Sequence, residues 1–315
     1  MFKSLLLTGS TGFVGNNLLN ELLLNNAYHI TAPIRALPKN SSLHYQVGQI
    51  DAITDYSSII SGIDTVIHLA ARVHIMNDSS LDPLAEFRSV NTEGSLNLAR
   101  QAAETGVKRF IFLSSIKVNG ESTSDSNPFT AFDSRRPEDL YGMSKSEAEE
   151  QLLALGKETG MEIVIIRPPL VYGEGVKANF ASLMKLVGKG FPLPFRAINQ
   201  NKRSLVSVYN LVDLIKVCID HPKAANQVFL ASDDDDLSTA QMVALMAKVQ
   251  GKVNLSLPVP VWCFKLAGKL FKKEAVVDRL VGSLQLDIEH TKNTLDWVPP
   301  YSVEHGFQLA AKKNS

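Results

Sequence analysis

The chain has 315 residues, of which 45% are hydrophobic, and its 32 Lys and Arg residues balance its 32 Asp and Glu residues. This length and apolar content allow one large domain or two smaller domains with a buried core. The neutral balance excludes a bulk electrostatic attraction to nucleic acid or anionic lipid. We therefore expect no nucleic-acid partner and no stable membrane insertion.

The cysteine content and the apolar runs narrow the class further. Cys218 and Cys263 lie far apart and lack the spacing of a zinc site or a disulfide framework, so we predict no metal site. No apolar run approaches the roughly 18 residues that a spanning helix needs. The three leucines after Ser4 are also too few for the apolar core of a signal peptide. We expect a cytoplasmic protein.

A glycine-rich loop follows the first predicted strand. The apolar run that ends at Thr8 is followed by Gly9, Gly12 and Gly15, and a helical pattern begins at Phe13. Gly9 would permit a sharp turn, Gly12 would let the backbone approach a pyrophosphate, and Gly15 would let the helix lie close to the strand. Phosphates would then lie at the helix N-terminus. The common fingerprint places its first two glycines one residue apart, so this loop alone also fits an ordinary turn.

The second predicted strand, from Tyr28 to Arg35, bears on the choice of cofactor. Enzymes that use NAD usually have Asp or Glu at the end of this strand, whereas those that use NADP tend to have an arginine nearby. No carboxylate occurs between Glu21 and Asp51, and Arg35 follows the strand. The cofactor is thus NAD or NADP, with NADP slightly favoured, although a solvated Arg35 fits the same pattern.

The next elements alternate between strand and helix. A buried-type strand from Asp64 ends in small residues, and its His68 is predicted to be a hydrogen-bonded structural histidine. A helix is predicted from Pro83 to Thr105, with Gly106 as its C-terminal stop. A further strand ends at Ser114 and Ser115, where ligands bind in open parallel sheets. The polar loop 120–137 is predicted to be mobile and to form part of a lid.

Tyr141 and Lys145 lie four residues apart on the helix predicted to continue to Leu155, so they share one face. A free tyrosine has a pKa near 10, and a nearby ammonium should lower this pKa. Such a tyrosine can exchange a proton with a substrate hydroxyl or carbonyl while Ser115 donates to the same oxygen. A nicotinamide cofactor on the glycine loop would supply the hydride partner.

These residues together resemble the extended short-chain dehydrogenase/reductase superfamily, particularly nucleotide-sugar epimerases and reductases of the UDP-glucose 4-epimerase type. The motifs that carry the resemblance are Thr8 to Gly15, His68 to Ala71, Asn91 with Gly94, Ser114-Ser115, Tyr141 to Lys145, and Arg167 to Gly173. The resemblance implies an α/β fold, a Rossmann-type doubly wound parallel sheet with a smaller C-terminal α/β substrate-binding region. It implies a dinucleotide-binding domain at 1–166 and a substrate region at 167–315, with segments around 204–231 returning to the main sheet.

The resemblance also implies residue roles. Tyr141 would be the acid/base, Lys145 its tuner and a ribose ligand, and Ser115 the hydroxyl that positions the carbonyl. The implied cofactor-binding residues are Gly9, Thr11, Gly12, Phe13, Val14, Gly15, Arg35, Leu69, Ala70, Ala71, Asn91, Tyr141, Lys145 and Pro168. Asn179, Arg203 and Arg279 would bind the substrate, a UDP-sugar, since two guanidinium groups can chelate a diphosphate. Relatives are often homodimers, paired here through the helices at 83–105 and 141–155.

Departures from the family pattern affect the predicted reaction. Ile116-Lys117 follows Ser115 where sugar-nucleotide dehydratases have Asp-Glu, which argues against dehydration. Asn119 stands where epimerases usually have a tyrosine, and the acidic residue that retains NAD is missing. The sequence therefore favours a 4-ketoreductase acting on a UDP-hexose over a UDP-hexose 4-epimerase with bound NAD. Reduction of a non-nucleotide ketone or aldehyde, and a cofactor-sensing protein without turnover, are the remaining alternatives.

Two C-terminal segments invite other interpretations. Consecutive carboxylates from Asp233 to Asp236 precede a helix that Ser238 should cap, and we predict a solvated turn rather than a metal site. The segment 261–273 places Trp262 and Phe271 among lysines. We predict a helix that packs in the smaller domain, with contact to a membrane surface as the alternative.

Overall fold

The computed structural model describes residues 2–24, 27–34, 44–46, 49–73, 82–176 and 179–312. Nine strands occur in these ranges: β1 (Lys3–Thr8), β2 (Tyr28–Ile34), β3 (His44–Gln46), β4 (Thr65–His68), β5 (Arg109–Leu113), β6 (Glu162–Arg167), β7 (Leu170–Tyr172), β8 (Leu205–Ser207) and β9 (Gln227–Leu230). Seven of them form a parallel sheet in the order β3-β2-β1-β4-β5-β6-β9, and β7 pairs with β8 in a small parallel sheet. The strand order reverses between β1 and β4, so the predicted doubly wound fold is confirmed.

Helices connect these strands. The α-helices of the described ranges are α1 (Phe13–Leu23), α2 (Ser57–Ile60), α3 (Pro83–Arg88), α4 (Ser95–Glu104), α5 (Leu140–Thr159), α6 (Asn179–Gly188), α7 (Val208–Asp220), α8 (Thr239–Val249), α9 (Val261–Leu270), α10 (Glu274–Val281), α11 (Glu289–Leu295) and α12 (Val303–Ala311). Short 3-10 turns lie at Ile116–Val118 and Pro222–Ala224. None of the helices in the described ranges combines the length and apolarity needed to cross a membrane.

The helical segment predicted from Pro83 to Thr105 contains an irregular turn. A π-helical turn at Ser89–Gly94 joins α3 to α4, and a Cβ atom on Gly94 would lie 2.8 Å from the side chain of Ile50. The segment stops at Gly106, whose φ of +82° lies in the left-handed region that glycine tolerates best. The predicted helix and its stop are therefore confirmed.

Two layers of helices cover the main sheet. On one face, Leu18 and Leu22 of α1 pack with Leu211 and Ile215 of α7. On the other face the buried residues come mainly from α4 and α5, and they include Leu98, Ala99, Ala148 and Leu152. Each layer removes apolar surface from water, which is the main favourable term in folding.

The C-terminal part of the chain has a separate core but also contributes to the main sheet. Its core surrounds Tyr172 and Phe307, whose ring centroids are 4.8 Å apart, and draws on α6, α8 and α12. Strand β9 pairs with β6 at the edge of the main sheet, whereas β8 lies outside that sheet beside β7. The boundary at residue 166 stays a prediction.

The polar loop 120–137 is not free, contrary to the prediction of a mobile lid. The amide of Thr123 donates to the carbonyl of Ser283 (2.9 Å), and the amide of Phe129 donates to the carbonyl of Gln285 (2.9 Å). A strand-like bridge also joins Phe129 to Leu286. The loop is thus fixed to the segment that follows α10, a contact between residues too distant in sequence for a local pattern to predict.

Candidate active site

The glycine loop between β1 and α1 has the shape that its spacing predicts. Gly9 has a φ of +73°, and a Cβ atom there would lie 2.6 Å from the amide nitrogen of Ala70. A Cβ atom on Gly15 would lie 2.0 Å from the carbonyl oxygen of Gly9, which no side chain could tolerate. The predicted turn at Gly9 and the close helix contact at Gly15 are confirmed.

This loop opens onto a cleft suited to a dinucleotide. The cleft has a volume of about 530 Å³ and is lined by Thr11, Gly12, Phe13, Asn16, Asn17, Asn20, Glu174 and Gly175. Gly12 is the N-cap residue of α1. Because glycine has no side chain, no N-cap side chain hydrogen-bonds to the free amides of the first helical turn. The Ser10 hydroxyl is buried without a hydrogen-bond partner among the described residues. These features fit phosphate groups at the helix N-terminus.

The carboxyl end of β4 lies beside this loop, at the point where the strand order reverses. Leu69, Ala70 and Ala71 are partly exposed there, and the Leu69 amide donates to the carbonyl of Thr8 (3.3 Å). His68 is buried, with Nδ1 2.7 Å from the Thr8 hydroxyl and Nε2 2.9 Å from the Ser95 hydroxyl. The structural role predicted for His68 is confirmed.

Asn91, predicted to bind the cofactor, connects the end of β4 to α5. Its side chain accepts from the amide of Arg72 (2.8 Å) and donates to the Arg72 carbonyl (3.0 Å) and the Ser144 hydroxyl (3.0 Å). The side chain is fully buried in the π-helical turn. Its contacts position the loop after β4, and a direct contact with cofactor stays a prediction.

Ser115, Tyr141 and Lys145 lie where β5 ends and α5 begins. Ser115 caps the 3-10 turn at Ile116–Val118, and its hydroxyl accepts from the amide of Lys117 (3.3 Å). Asp139 caps α5 by accepting from the amide of Gly142 (2.7 Å), so Tyr141 stands in the first turn and Lys145 one turn later. The Lys145 ammonium donates to the carbonyl of Leu113 (2.8 Å).

The electrostatics of this pair differ from the prediction. Burial, helped by the negative charge of Asp139, raises the pKa of Tyr141 well above its usual value. The expectation that Lys145 lowers this pKa is therefore wrong for this structure. Burial also lowers the pKa of Lys145 to about 7, against the opposing effect of the Glu149 charge. Desolvation outweighs the neighbouring charges at both positions.

Glu149 and Arg167 form a buried ion pair beneath the candidate catalytic residues, and we call them the buried pair. The Arg167 guanidinium donates to both carboxylate oxygens of Glu149, at 2.9 and 2.5 Å. Ser114 also donates to Glu149 (2.5 Å), and Arg167 donates to the side-chain oxygen of Asn119 (3.0 Å). The role of Glu149 was not predicted from the sequence, although its spacing of four from Lys145 places it on the same face of α5.

A second set of charges, partly exposed, runs from α5 toward α10. Lys117 contacts the carboxylates of Asp139 and Glu121 (3.0 Å for Glu121), and Glu121 lies 3.9 Å from the Nε atom of Arg279. We call these four residues the open charge row. Lys117, noted from the sequence only as a departure from the dehydratase pattern, is its central member.

The predicted substrate residues have different outcomes. The Arg203 guanidinium donates to the carbonyl of Arg279 (2.9 Å), so the structure brings the two predicted arginines together. Burial, and then the charge of Arg279, lower the pKa of Arg203. Asn179 begins α6, but its side chain lies outside the described residues, as does the whole of Arg35. Pro168 is buried, and its carbonyl accepts from the amide of Ile116 (3.0 Å), next to Ser115.

Two expectations for the C-terminal region are met only in part: Asp234 and Asp235 are exposed, as in a solvated turn, and α9 packs through Phe264 against Phe195. Asp233 is buried rather than solvated, because its carboxylate accepts from Tyr172 (2.7 Å), Asn210 (2.6 Å) and the amide of Ser207 (2.8 Å). The helix α9 packs only along one side and leaves Trp262 largely exposed. Where residues are described, no three His, Cys, Asp or Glu side chains are placed to hold a metal ion.

A family comparison agrees with this geometry. A model of the NAD dependent epimerase/dehydratase family matches residues 5–231, which is more than half of the chain. The chain belongs to this family. It is therefore an enzyme of the extended short-chain dehydrogenase/reductase type, as the resemblance implied.

Individual family members extend the comparison. The UDP-glucose 4-epimerase of Vibrio cholerae is 58% identical over 313 residues, covering 99% of this chain and 95% of the relative. The N-acetyl-alpha-D-glucosaminyl-diphospho-ditrans,octacis-undecaprenol 4-epimerase of Escherichia coli O157:H7 is 29% identical and covers 98% of this chain and 94% of the relative. The UDP-glucuronic acid 4-epimerase of Bacillus cereus, solved in complex with NAD, has the same fold, with a TM-score of 0.76, 20% identity, and coverage of 97% of this chain and 96% of that chain.

Proposed function

We propose that the protein is a 4-epimerase of a UDP-activated hexose. The 58% identity with the Vibrio cholerae enzyme, over nearly the whole of both chains, is the observation that carries the proposal. It favours the epimerase alternative over the 4-ketoreductase that the sequence alone favoured. The ketoreductase preference depended on a missing carboxylate near Arg35, and one missing ligand weighs less than this overall similarity.

We propose NAD as the cofactor, since the Bacillus cereus relative was solved with NAD. The loop from Gly9 to Gly15 would hold the pyrophosphate, and Leu69, Ala70 and Ala71 would lie against the rest of the dinucleotide. When bound, NAD supplies a hydride acceptor whose oxidised ring carries a positive charge. The preference for NADP stays a prediction without support, because Arg35 lies outside the described residues.

Tyr141 is the proposed acid/base. It would take the proton of the sugar 4-hydroxyl as hydride leaves C4, and return that proton after the 4-keto sugar has turned and accepted hydride on its other face. Ser115 would donate a hydrogen bond to the same oxygen. Because burial keeps Tyr141 protonated at neutral pH, its pKa must fall before it can act as a base. The positive charge of the oxidised cofactor would be the source of that shift.

The proposed substrate contacts come from the three residues that the resemblance implied. Arg203 and Arg279 would chelate the diphosphate, and Asn179 would bind the substrate. Two arginines whose residues are in contact favour a diphosphate over a non-nucleotide ketone or aldehyde. A homodimer formed through α3, α4 and α5 remains part of the proposal, as family members often pair in this way.

The proposal is tested by incubating the purified protein with UDP-glucose, without added cofactor, and measuring UDP-galactose. We expect turnover, and we expect Tyr141→Phe to reduce kcat by about 10²–10⁴-fold. Tyr28→Phe is the matched control, since among the described residues its hydroxyl bonds only to Asp220, at the far end of the sheet. Turnover that required added NADPH and a 4-keto sugar would replace the epimerase with the ketoreductase. A fully active Tyr141→Phe variant would overturn the catalytic assignment.

A sugar diphosphate linked to a polyprenol is the second candidate substrate. The relative from Escherichia coli O157:H7 carries such a substrate in its name. The observation in its favour is the set of exposed apolar side chains on α9 and α10, which end next to Arg279. Comparing kcat/KM for UDP-N-acetylglucosamine and for N-acetylglucosaminyl-diphospho-undecaprenol separates the two candidates.

A further inference from the structure

The charge of the chain is neutral overall but not locally. Between residues 252 and 273 the sequence contains five lysines, Lys252, Lys265, Lys269, Lys272 and Lys273, and no Asp or Glu. These residues form a coil, the helix α9 and the turn that follows it. A strongly basic surface therefore lies in one continuous segment.

The same segment exposes large apolar side chains. Trp262, Leu266 and Leu270 recur every four residues, so they share one side of α9. Their exposed fractions are 66%, 60% and 75%, and Phe271 is 70% exposed. A core helix would bury these side chains, and each one left in water forfeits the free energy of burial.

The packed side of α9 is a different one. The ring of Phe264 stacks on Phe195, with centroids 6.0 Å apart, and a Cβ atom on Gly268 would lie 2.9 Å from Val277 of α10. The helix is therefore held by its inner side, while Trp262, Leu266 and Leu270 project outward. These side chains are therefore exposed on a helix that its other contacts hold in place.

The coil before α9 adds further exposed apolar side chains to this surface. Val253, Leu255 and Leu257 are all exposed, and the coil is fixed in place because the Leu257 amide donates to the carbonyl of Leu193 (2.7 Å). We call the exposed side chains of residues 252–273 the basic apolar surface. It exceeds the scattered single apolar residues that are normal on a protein surface.

We propose that the basic apolar surface binds the surface of an anionic lipid bilayer. Lysines would face the phosphate headgroups, and Trp262, Leu266, Leu270 and Phe271 would enter the boundary between headgroups and acyl chains. Charge complementarity selects this occupant. A second copy of the chain would place five lysines against five lysines, which opposes association through this surface.

The basic apolar surface lies close in the chain to the predicted substrate residue Arg279. Helix α10 follows directly after the basic apolar surface and ends at Val281. Near this end, the carbonyl of Arg279 accepts a hydrogen bond from Arg203. One short helix thus connects the basic apolar surface to Arg279, one of the two predicted substrate arginines. Binding would hold Arg203 and Arg279 close to the bilayer. Binding to the bilayer would determine where the enzyme works, whichever sugar diphosphate it converts.

The test uses the full chain and vesicles of phosphatidylcholine with or without phosphatidylglycerol. We expect the protein to sediment with the anionic vesicles only, and we expect added salt to release it. The chain has two tryptophans, and Trp297 is buried, so a blue shift of fluorescence on vesicle binding would report Trp262.

Variants make the test specific. Lys265→Glu with Lys269→Glu should lower the partition coefficient by about 25-fold or more, since each lysine near such a surface contributes about fivefold. The matched control is Lys108→Glu with Lys157→Glu, two exposed lysines outside the basic apolar surface. Circular dichroism and turnover of UDP-glucose in solution should be unchanged in both pairs.

Three results would overturn the proposal. The first is no sedimentation with anionic vesicles at low salt, and the second is equal binding by the Lys265→Glu, Lys269→Glu pair and the wild type. The third is self-association in ultracentrifugation that Trp262→Ser abolishes, which would assign the surface to a second copy of the chain. Binding that is lost in the pair and retained in the control would support the membrane surface.

Discussion

The buried pair and the open charge row both include a carboxylate of α5 or its N-cap, but their side chains differ in exposure to water. Glu149 and Arg167 are nearly inaccessible, and their charged atoms also bond to Ser114 and Asn119. Lys117 in the open charge row is partly exposed, as is Arg279 at its far end. Removing one member of the buried pair strands a charge in the interior, whereas water can replace a missing member of the row.

This difference separates two tasks. The buried pair joins α5 to β5 and β6, so it fixes the helix that carries Tyr141 and Lys145. The open charge row can exchange partners, because Glu121 and a bound diphosphate would compete for Arg279. We therefore expect substitutions in the buried pair to change stability and substitutions in the row to change substrate binding.

The largest expected effect is that of Arg167→Leu. It leaves the Glu149 carboxylate buried without its counter-charge, and we expect a loss of about 3–5 kcal/mol in the free energy of unfolding. Urea denaturation at neutral pH measures this loss.

A double variant sharpens this prediction. Glu149→Leu with Arg167→Leu removes both charges, so it should be more stable than Arg167→Leu alone. If the double variant were the less stable of the two, the stranded charge would not be the cause of the loss.

A second prediction concerns His68, which is fully buried and close enough to Lys145 to be affected by its charge. Burial, followed by the charge of Lys145, lowers the pKa of His68 to about 3, whereas the unfolded chain has a value near 6.5. Between pH 6.5 and 3 the unfolded state binds a proton that the folded state cannot, so stability falls as the pH falls. The loss accumulates at roughly 1.4 kcal/mol per pH unit.

His68→Gln should remove this part of the acid sensitivity. We expect the free energy of unfolding of the wild type to fall more steeply than that of the variant below pH 6.5. His29→Gln, at an exposed position on β2, is the control and should retain the wild-type slope. Equal slopes for all three proteins would show that His68 takes up its proton in the folded state.

The smallest expected change in stability belongs to Lys117→Met. Its ion pairs are partly exposed, so we expect a change within about 1 kcal/mol. Without Lys117, Glu121 would pair more strongly with Arg279 and compete with the substrate diphosphate. We expect KM for UDP-glucose to rise by roughly tenfold, which corresponds to about 1.4 kcal/mol of lost binding.

Glu121→Gln should have the opposite effect, because it frees Arg279, and KM should fall. Steady-state kinetics at low salt distinguish the two variants. If neither variant changed KM, the open charge row would lie outside the substrate path.

The sequence predicted the parts of the site that local patterns encode. The turn at Gly9, the close contact at Gly15 and the stop at Gly106 depend on residues close in sequence and are confirmed. The structural role of His68 is also confirmed, although its partners Thr8 and Ser95 are distant in sequence. The burial of Asp233 could not be predicted, because its partners Tyr172 and Asn210 are distant in sequence. The direction of the Tyr141 pKa shift failed for the same reason, since spacing reports a neighbouring charge but not desolvation.

The overall composition does not report how charged residues are distributed along the chain. The equal numbers of acidic and basic residues argued against attraction to anionic lipid, yet five lysines and no carboxylate occur between residues 252 and 273. The exposure of Trp262 on that segment required knowing which side of α9 is packed. Amphipathic patterning alone fits a buried helix equally well.

The position of β9 at the edge of the main sheet has a consequence for how the chain is made. During synthesis, β6 leaves the ribosome about sixty residues before its neighbour Gln227–Leu230. Until then its outer backbone groups are open to pairing with other nascent chains. A truncated protein that ended at β6 would carry this edge permanently and should aggregate, so the N-terminal half of the chain depends on the C-terminal half for its solubility.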